Sequence, residues 1–281
     1  MDFYKKRKFD LKGKNIKIPI MAVFMAIMIQ ALIGTISYKM LFNLNAFQII
    51  FAGIFISIFI SFPMEVLINT VNSVKDSFTE EIDYEQTINK VYNLSIKIKK
   101  EGLLSIQSDI EYEDDIFLRD AMILLNDYKR TEVIADIMDN DIESRHMELF
   151  KPYNVMKMVA NISPAFGLVG TLVGMIGLLA KLNSPQEIMG NMAYALVSTL
   201  YGSLVSNFIA FPLMARIQEQ TEQRLLQYRM IKEGILLISK DDSTRNVFDK
   251  MNVMLKENKR LVYPRDYSQE RDYENYEFKE F

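Results

Sequence analysis

Thr199, Ser203 and Ser206 stand at i, i+4 and i+7 within an apolar run, so on a helix their hydroxyls share one face. Thr171, in the preceding apolar run, adds a fourth hydroxyl. Hydroxyl oxygens carry no fixed charge, which suits transient coordination of a cation or a short file of water. A serine or threonine can also bond its own helix carbonyl, so the stripe is compatible both with an ion path and with plain helix packing. Residues 159–180 and 188–215 contain no Asp, Glu, Lys, Arg or His. A proton-coupled device needs a titratable group inside the membrane, and a partner therefore has to supply it. Other chemistries find little support. The chain has no cysteine, and its single histidine, His146, lies in the charged stretch 141–148, where a surface position is expected. No nucleophile, base or metal-ligand constellation is present, so neither an enzyme nor a bound metal or organic cofactor is expected.

These hydroxyls belong to two of four apolar blocks, at 18–37, 46–64, 155–180 and 188–215. About 20 apolar residues carry a helix across the hydrocarbon of a bilayer, and a soluble core helix is rarely apolar on every side for so long. The blocks predict an all-α integral membrane protein with four transmembrane helices, at 18–64 and 155–215. Lys157 is the exception to the apolar third block and can snorkel to the interface. The stretch 1–17 carries Lys5, Lys6, Arg7, Lys8, Lys12, Lys14 and Lys17, which puts the N-terminus in the cytoplasm. The connections then alternate: 39–45 and 181–187 become external loops, 65–154 a cytoplasmic domain, and 216–281 a cytoplasmic C-terminal helix and tail. A signal peptide is the competing reading of a basic stretch followed by an apolar one, but the apolar run is too long and lacks a small-residue cleavage site. Topology reporters fused at Asn43 and Pro185 are expected to score as external and one at Glu101 as internal. An external score at Glu101 would rule out four spans.

The third block carries glycines at 167, 170, 174 and 177, and the fourth carries Gly202. Small residues at helical spacing let backbones approach closely where hydrophobic burial no longer drives association. Pro164 and Pro212 each remove a backbone donor, so a kink is expected at both. In the cytoplasmic stretch 65–154, helical periodicity predicts a compact helical domain. Ile82, Ile88, Val91, Leu94, Ile96 and Ile98 supply its first apolar face, Gly102 ends that helix, and 117–125 gives a second. Thr131 and Glu132 then open a third helix, which runs through Ile134, Ile137, Ile142, Met147 and Phe150 towards Pro152 and the third block. After the fourth block, 217–237 continues as a helix, and a tyrosine-rich tail follows without a clear period. The formal net charge of −3 implies no nucleic-acid partner.

The run Pro164-Ala-Phe-Gly-Leu-Val-Gly-Thr-Leu-Val-Gly174, with Ala195-Leu-Val-Ser-Thr-Leu-Tyr-Gly202 and Phe211-Pro212, resembles the MotA/TolQ/ExbB channel superfamily. Two spans before the cytoplasmic domain are similar to its flagellar-stator branch, whereas ExbB and TolQ have one. Lys100-Glu-Gly-Leu-Leu-Ser-Ile and Ile116-Phe-Leu-Arg119 resemble the cytoplasmic domain of that branch. The likeness covers roughly residues 18–240. It implies a homo-pentamer in the bacterial inner membrane, around two copies of a MotB-like single-span partner whose membrane Asp carries the ion. It implies that Pro164 and Pro212 fall on the two functional prolines and that Thr171 and Thr199 line the ion path. It also implies that charged residues of the cytoplasmic domain contact the rotor switch ring. Where a basic contact residue follows Leu-Glu in the enterobacterial pattern, this chain reads Ser105-Ile-Gln-Ser108, leaving Lys99, Lys100, Asp115 and Arg119 as candidates. Threonine at both path positions favours Na⁺ over H⁺ as the transported ion, although ExbB and TolQ carry the same Gly-Thr and use protons. Two rival functions remain, an ExbB/TolQ-like energiser of an outer-membrane system and a static scaffold in which glycines and hydroxyls only pack helices.

Overall fold

A computed structural model describes residues 41–79, 82–127, 130–180 and 185–264, together with Val23, Phe24, Ala26, Ile27 and Gln30, which are helical. The basic stretch 1–17, most of the first apolar block and the tail 265–281 lie outside the described residues. In chain order the helices are α1 Leu44–Ser61, α2 Met64–Thr79, α3 Tyr84–Glu101, α4 Gln107–Tyr112, α5 Ile116–Asp127, α6 Thr131–Leu179, α7 Pro185–Leu204, α8 Phe211–Ser239 and α9 Thr244–Val253. A 3₁₀ turn, Leu103–Ile106, precedes α4, and a π-turn, Val205–Ala210, joins α7 to α8. No strand occurs among the described residues. The chain divides into two compact units: Met1–Ser61 with Met158–Ala210, and Phe62–Lys157 with Phe211–Phe281.

In the first unit, α1 buries Ala46, Ile50, Ile54 and Ile58, one per turn, while Phe47, Phe55, Ile56, Phe59 and Ile60 on its other sides are exposed. A helix as apolar outside as inside is built for lipid, where its backbone groups are satisfied internally. It ends at Ser61, before Pro63, against the 46–64 expected. The chain bends at Phe62, because Pro63 cannot donate to a continuing helix, and its carbonyl instead accepts Val66 N–H at 3.0 Å. Long helical stretches apolar enough to cross a membrane are found at Leu44–Ser61, within Thr131–Leu179 and within Ile188–Ser239.

The second unit has a hydrophobic core of its own. Ile88 and Val91 of α3, Phe117 and Leu118 of α5, Ile134 and Met138 of α6, Met230, Ile231 and Ile235 of α8, and Val247, Phe248 and Met251 of α9 meet in one cluster. The sequence separates 65–154 from 216–281, yet the two segments share this core. Gly234 is what lets α8 close on its neighbours, since a methyl there would lie 2.6 Å from Val91 Cγ1 and 2.7 Å from Met251 Sδ. Helix ends follow their caps: Asp83 accepts Gln86 N–H at 3.0 Å to start α3, and Gly102, with φ of 85°, ends it. On this part of α6, Ile134, Met138 and Ile142 are buried while Met147 is 59 % exposed, so its buried face does not extend to Met147.

Candidate functional site

The site is built where α6 and α7 touch backbone to backbone. A methyl added to Gly202 would stand 2.5 Å from the Ser163 carbonyl oxygen and 3.0 Å from Gly167 Cα. One on Gly174 would stand 2.7 Å from Ala195 Cβ, and one on Gly170 2.5 Å from Ser198 Cβ. Gly177 is looser, because what it would meet is the tip of Asn191, at 3.0 Å. The glycines named from the sequence are thus the contact surface itself, as small residues in lipid are expected to be. Helix α1 completes the packing: Gly53 makes room for the Phe166 ring, and Tyr201 donates its hydroxyl to the Leu41 carbonyl at 2.5 Å while accepting Asn43 N–H at 3.2 Å.

This approach brings Thr171 and Thr199 together, their hydroxyls sharing a hydrogen bond. Thr171 Oγ1 also lies 3.1 Å from the Gly167 carbonyl oxygen and 3.2 Å from that of Ala195. Thr199 Oγ1 is 3.5 Å from the Gly167 oxygen. Two hydroxyl and two carbonyl oxygens therefore converge, with Thr199 exposed and Thr171 half-buried. Two hydroxyl protons cannot saturate four oxygens with two lone pairs each. The cluster is rich in acceptor capacity and can ligate a partly dehydrated cation or order water.

The remaining candidates are placed differently. Ser203 is half-buried one turn along from Thr199. Ser206 is 1 % exposed and donates to the Ala160 carbonyl at 2.7 Å, three turns of α6 before Thr171 and roughly 16 Å from it at 1.5 Å per residue. Helix α6 runs through Pro164 without interruption, whereas Pro212 is preceded by the π-turn, the local adjustment that lets an apolar helix tolerate proline. Ser163, Ser198, Tyr201 and Asn207 also serve this contact, although no motif in the sequence singles them out. Ser163 and Ser198 are fully buried and bond their own i−4 carbonyls at 2.6 and 2.7 Å, hiding their polarity at the glycine contact. Their signal in the sequence is position, since each sits on the glycine side of its helix.

In the second unit, the four charged candidates do not share one role. Asp115 caps α5, accepting Phe117 N–H at 3.0 Å and Leu118 N–H at 3.2 Å on one oxygen and Gln227 Nε2 at 3.2 Å on the other. Lys99 donates to the Asp241 carbonyl at 3.2 Å and lies 3.5 Å from its carboxylate. Lys100 is exposed at the end of α3, and Arg119 is half-buried on the first turn of α5. A charge network lies nearby on Arg145, which bonds Asp141 at 2.9 Å and Asp120 at 3.0 Å and stacks over Phe117 and Tyr228. Partial burial works against its charge, but Asp141, with Tyr228 and Asp120, raises its pKa above the usual guanidinium value. His146 packs its ring edge-on against Phe150 at 5.3 Å.

Residues 109–230 match the model of the MotA/TolQ/ExbB proton channel family. The match includes the α6–α7 contact and both threonines. Motility protein A of Aquifex aeolicus is 30% identical over 247 residues, covering 85% of this chain and 94% of that protein. The chain belongs to the MotA/TolQ/ExbB proton channel family. A Bacillus subtilis relative, the uncharacterized protein YtxD, is 32% identical over 215 residues, 76% of this chain and 79% of its own. The flagellar MotAB stator complex of Bacillus subtilis shares the fold, with a TM-score of 0.77 at 23% identity over 88% of this chain and 98% of that one. Membership in this membrane channel family places the chain in the inner membrane and accounts for a helix pair that is exposed and apolar on its outer faces, with Leu168, Leu172, Ile176 and Leu196 all more than half exposed.

Proposed function

We propose that this chain is a flagellar motor stator subunit that, with a MotB-like single-span partner, couples ion flow across the inner membrane to torque on the rotor. The observation that carries it is the Thr171–Thr199 oxygen cluster between two helix stretches, 159–180 and 188–215, that hold no Asp, Glu, Lys, Arg or His, in a chain aligned with Motility protein A over most of its length. Such a pair can line half of an ion path but cannot relay a proton through it. The partner's carboxylate completes the path, and five copies of this chain surround two of the partner. Four spans with both termini cytoplasmic, embedded in lipid, leave α2 to α5 and α8 to α9 on the cytoplasmic side, facing the rotor switch ring. Of the charged candidates there, Lys100 and Arg119 are the better contacts, because Asp115 is committed to capping α5 and Lys99 to Asp241.

The carried ion is Na⁺ in this reading. Sodium needs several oxygen ligands in exchange for its water, which the cluster supplies, whereas a proton needs only the carboxylate and a water path. The driving force is similar for either ion, roughly 2.3 kcal/mol per charge for each 100 mV, so energetics does not choose between them. Swimming speed measured against external sodium at fixed membrane potential does. Speed is expected to rise with sodium and saturate, and Thr171→Ala is expected to weaken that dependence. A speed independent of sodium would remove the sodium reading and leave the stator reading with a proton. Unchanged swimming in Thr199→Ala cells that still insert the protein would favour the scaffold.

A further inference from the structure

Pro164 cannot donate an amide proton, so the Ala160 carbonyl, four residues earlier on α6, loses its helical partner. That carbonyl is nevertheless satisfied, since Ser206 Oγ donates to it at 2.7 Å. Both residues are 1 % exposed, so no water competes for the bond. Ser206 reaches α6 from the π-turn Val205–Ala210. A π-turn adds a residue to the helix, so side chains within it leave the face that Thr199 and Ser203 share. The turn is itself supported by a side chain: Asn207 Nδ2 donates to the Ser203 carbonyl at 2.9 Å. Immediately beside the junction, Gly202 rests on the Ser163 carbonyl, and Ser163 donates to the Val159 carbonyl at 2.6 Å.

We propose that Ser206 is a positioning residue: its hydroxyl takes the place of the amide proton that Pro164 lacks, and the π-turn exists to deliver it there. The bond fixes the register of α7 on α6, on which the Thr171–Thr199 contact depends, and Ser206 does not coordinate the ion. This inference rests on the helix pair and holds whether or not the chain drives a rotor.

The test is a double-mutant cycle on the full chain in complex with its partner, purified in detergent, with Ser206→Ala, Pro164→Ala and both together. The readout is the rate at which assembled complex is lost on heating. Ser206→Ala is expected to speed that loss about three- to tenfold, the range for one hydrogen bond between membrane helices and for one buried carbonyl left unmet. In the Pro164→Ala background the same change is expected to have less than about a twofold effect, because residue 164 again donates to Ala160. An equal effect in both backgrounds overturns the proposal. Should Ser206→Ala fail to accumulate in membranes, accumulation becomes the readout, and restoration by Pro164→Ala supports the proposal while failure to restore overturns it. The ion concentration for half-maximal flux separates the roles further. A positioning residue leaves it unchanged between Pro164→Ala and the double variant, where residue 164 donates to Ala160 with or without Ser206, and a several-fold rise between those two would make Ser206 an ion ligand instead.

Discussion

Gly202→Ala is expected to remove nearly all assembled protein from the membrane and to abolish any swimming that depends on it. The added methyl would meet the Ser163 carbonyl oxygen at 2.5 Å and Gly167 Cα at 3.0 Å. Both are backbone atoms of a continuous helix and have no rotamer in which to retreat. Overpacking a tight core typically costs about 1–3 kcal/mol even where side chains can adjust, and here the helices must separate instead. Separation would also pull Thr171 from Thr199, because both sit within two turns of the same contact. Gly177→Ala is the matched control. Its methyl would meet only the end of the Asn191 side chain, at 3.0 Å, which can swing aside, so membrane levels and swimming speed are expected to stay within about twofold of the parent. Immunoblots of the membrane fraction and tracked swimming speeds distinguish the two. Parental levels and speed in Gly202→Ala would mean that α6 and α7 do not meet backbone to backbone.

The chain reconstituted alone into liposomes is expected to leave ion permeability at the background of protein-free vesicles, with flux appearing only when a single-span partner carrying a membrane carboxylate is added. Residues 159–180 and 188–215 hold no Asp, Glu, Lys, Arg or His, so the stretches of α6 and α7 that meet at the threonines offer no carboxylate, imidazole or fixed charge to carry a proton or neutralise a cation. An uncompensated cation in hydrocarbon is costly, and the two threonine hydroxyls with two carbonyls provide dipoles but no net charge. Replacing that carboxylate by its amide is therefore expected to return flux to background with the complex still assembled. Flux from this chain without a partner, at a rate comparable to the complex, would refute the division of labour in which one subunit supplies the path and the other the charge.

Much of this was decided by composition and periodicity. Apolar blocks of about span length, the absence of charge in two of them, and glycines at helical spacing all act locally, because a bilayer obliges each helix to satisfy its own backbone and leaves small residues as the route to close packing. Thr171 and Thr199 were legible as hydroxyls in two adjoining glycine-bearing apolar runs, and the structure shows that they meet. What periodicity could not supply was any feature that depends on a second helix. Extrapolating i, i+4, i+7 put Ser206 on the face of Thr199, but that spacing assumes an unbroken α-helix. The π-turn before Pro212 breaks it, and Ser206 faces the carbonyl that Pro164 leaves open. Likewise Asp115 stood in the sequence only as a candidate rotor contact, and the start of α5 places two amides within its reach. The sequence set the C-terminal helix apart from the domain at 65–154, and it is packing that brings α8 and α9 into the core of α3 and α5. A sequence states which groups a chain carries and how they recur along one element. Which hydrogen bond each group makes depends on what the neighbouring element leaves unmet, and only the tertiary packing of this chain determined that.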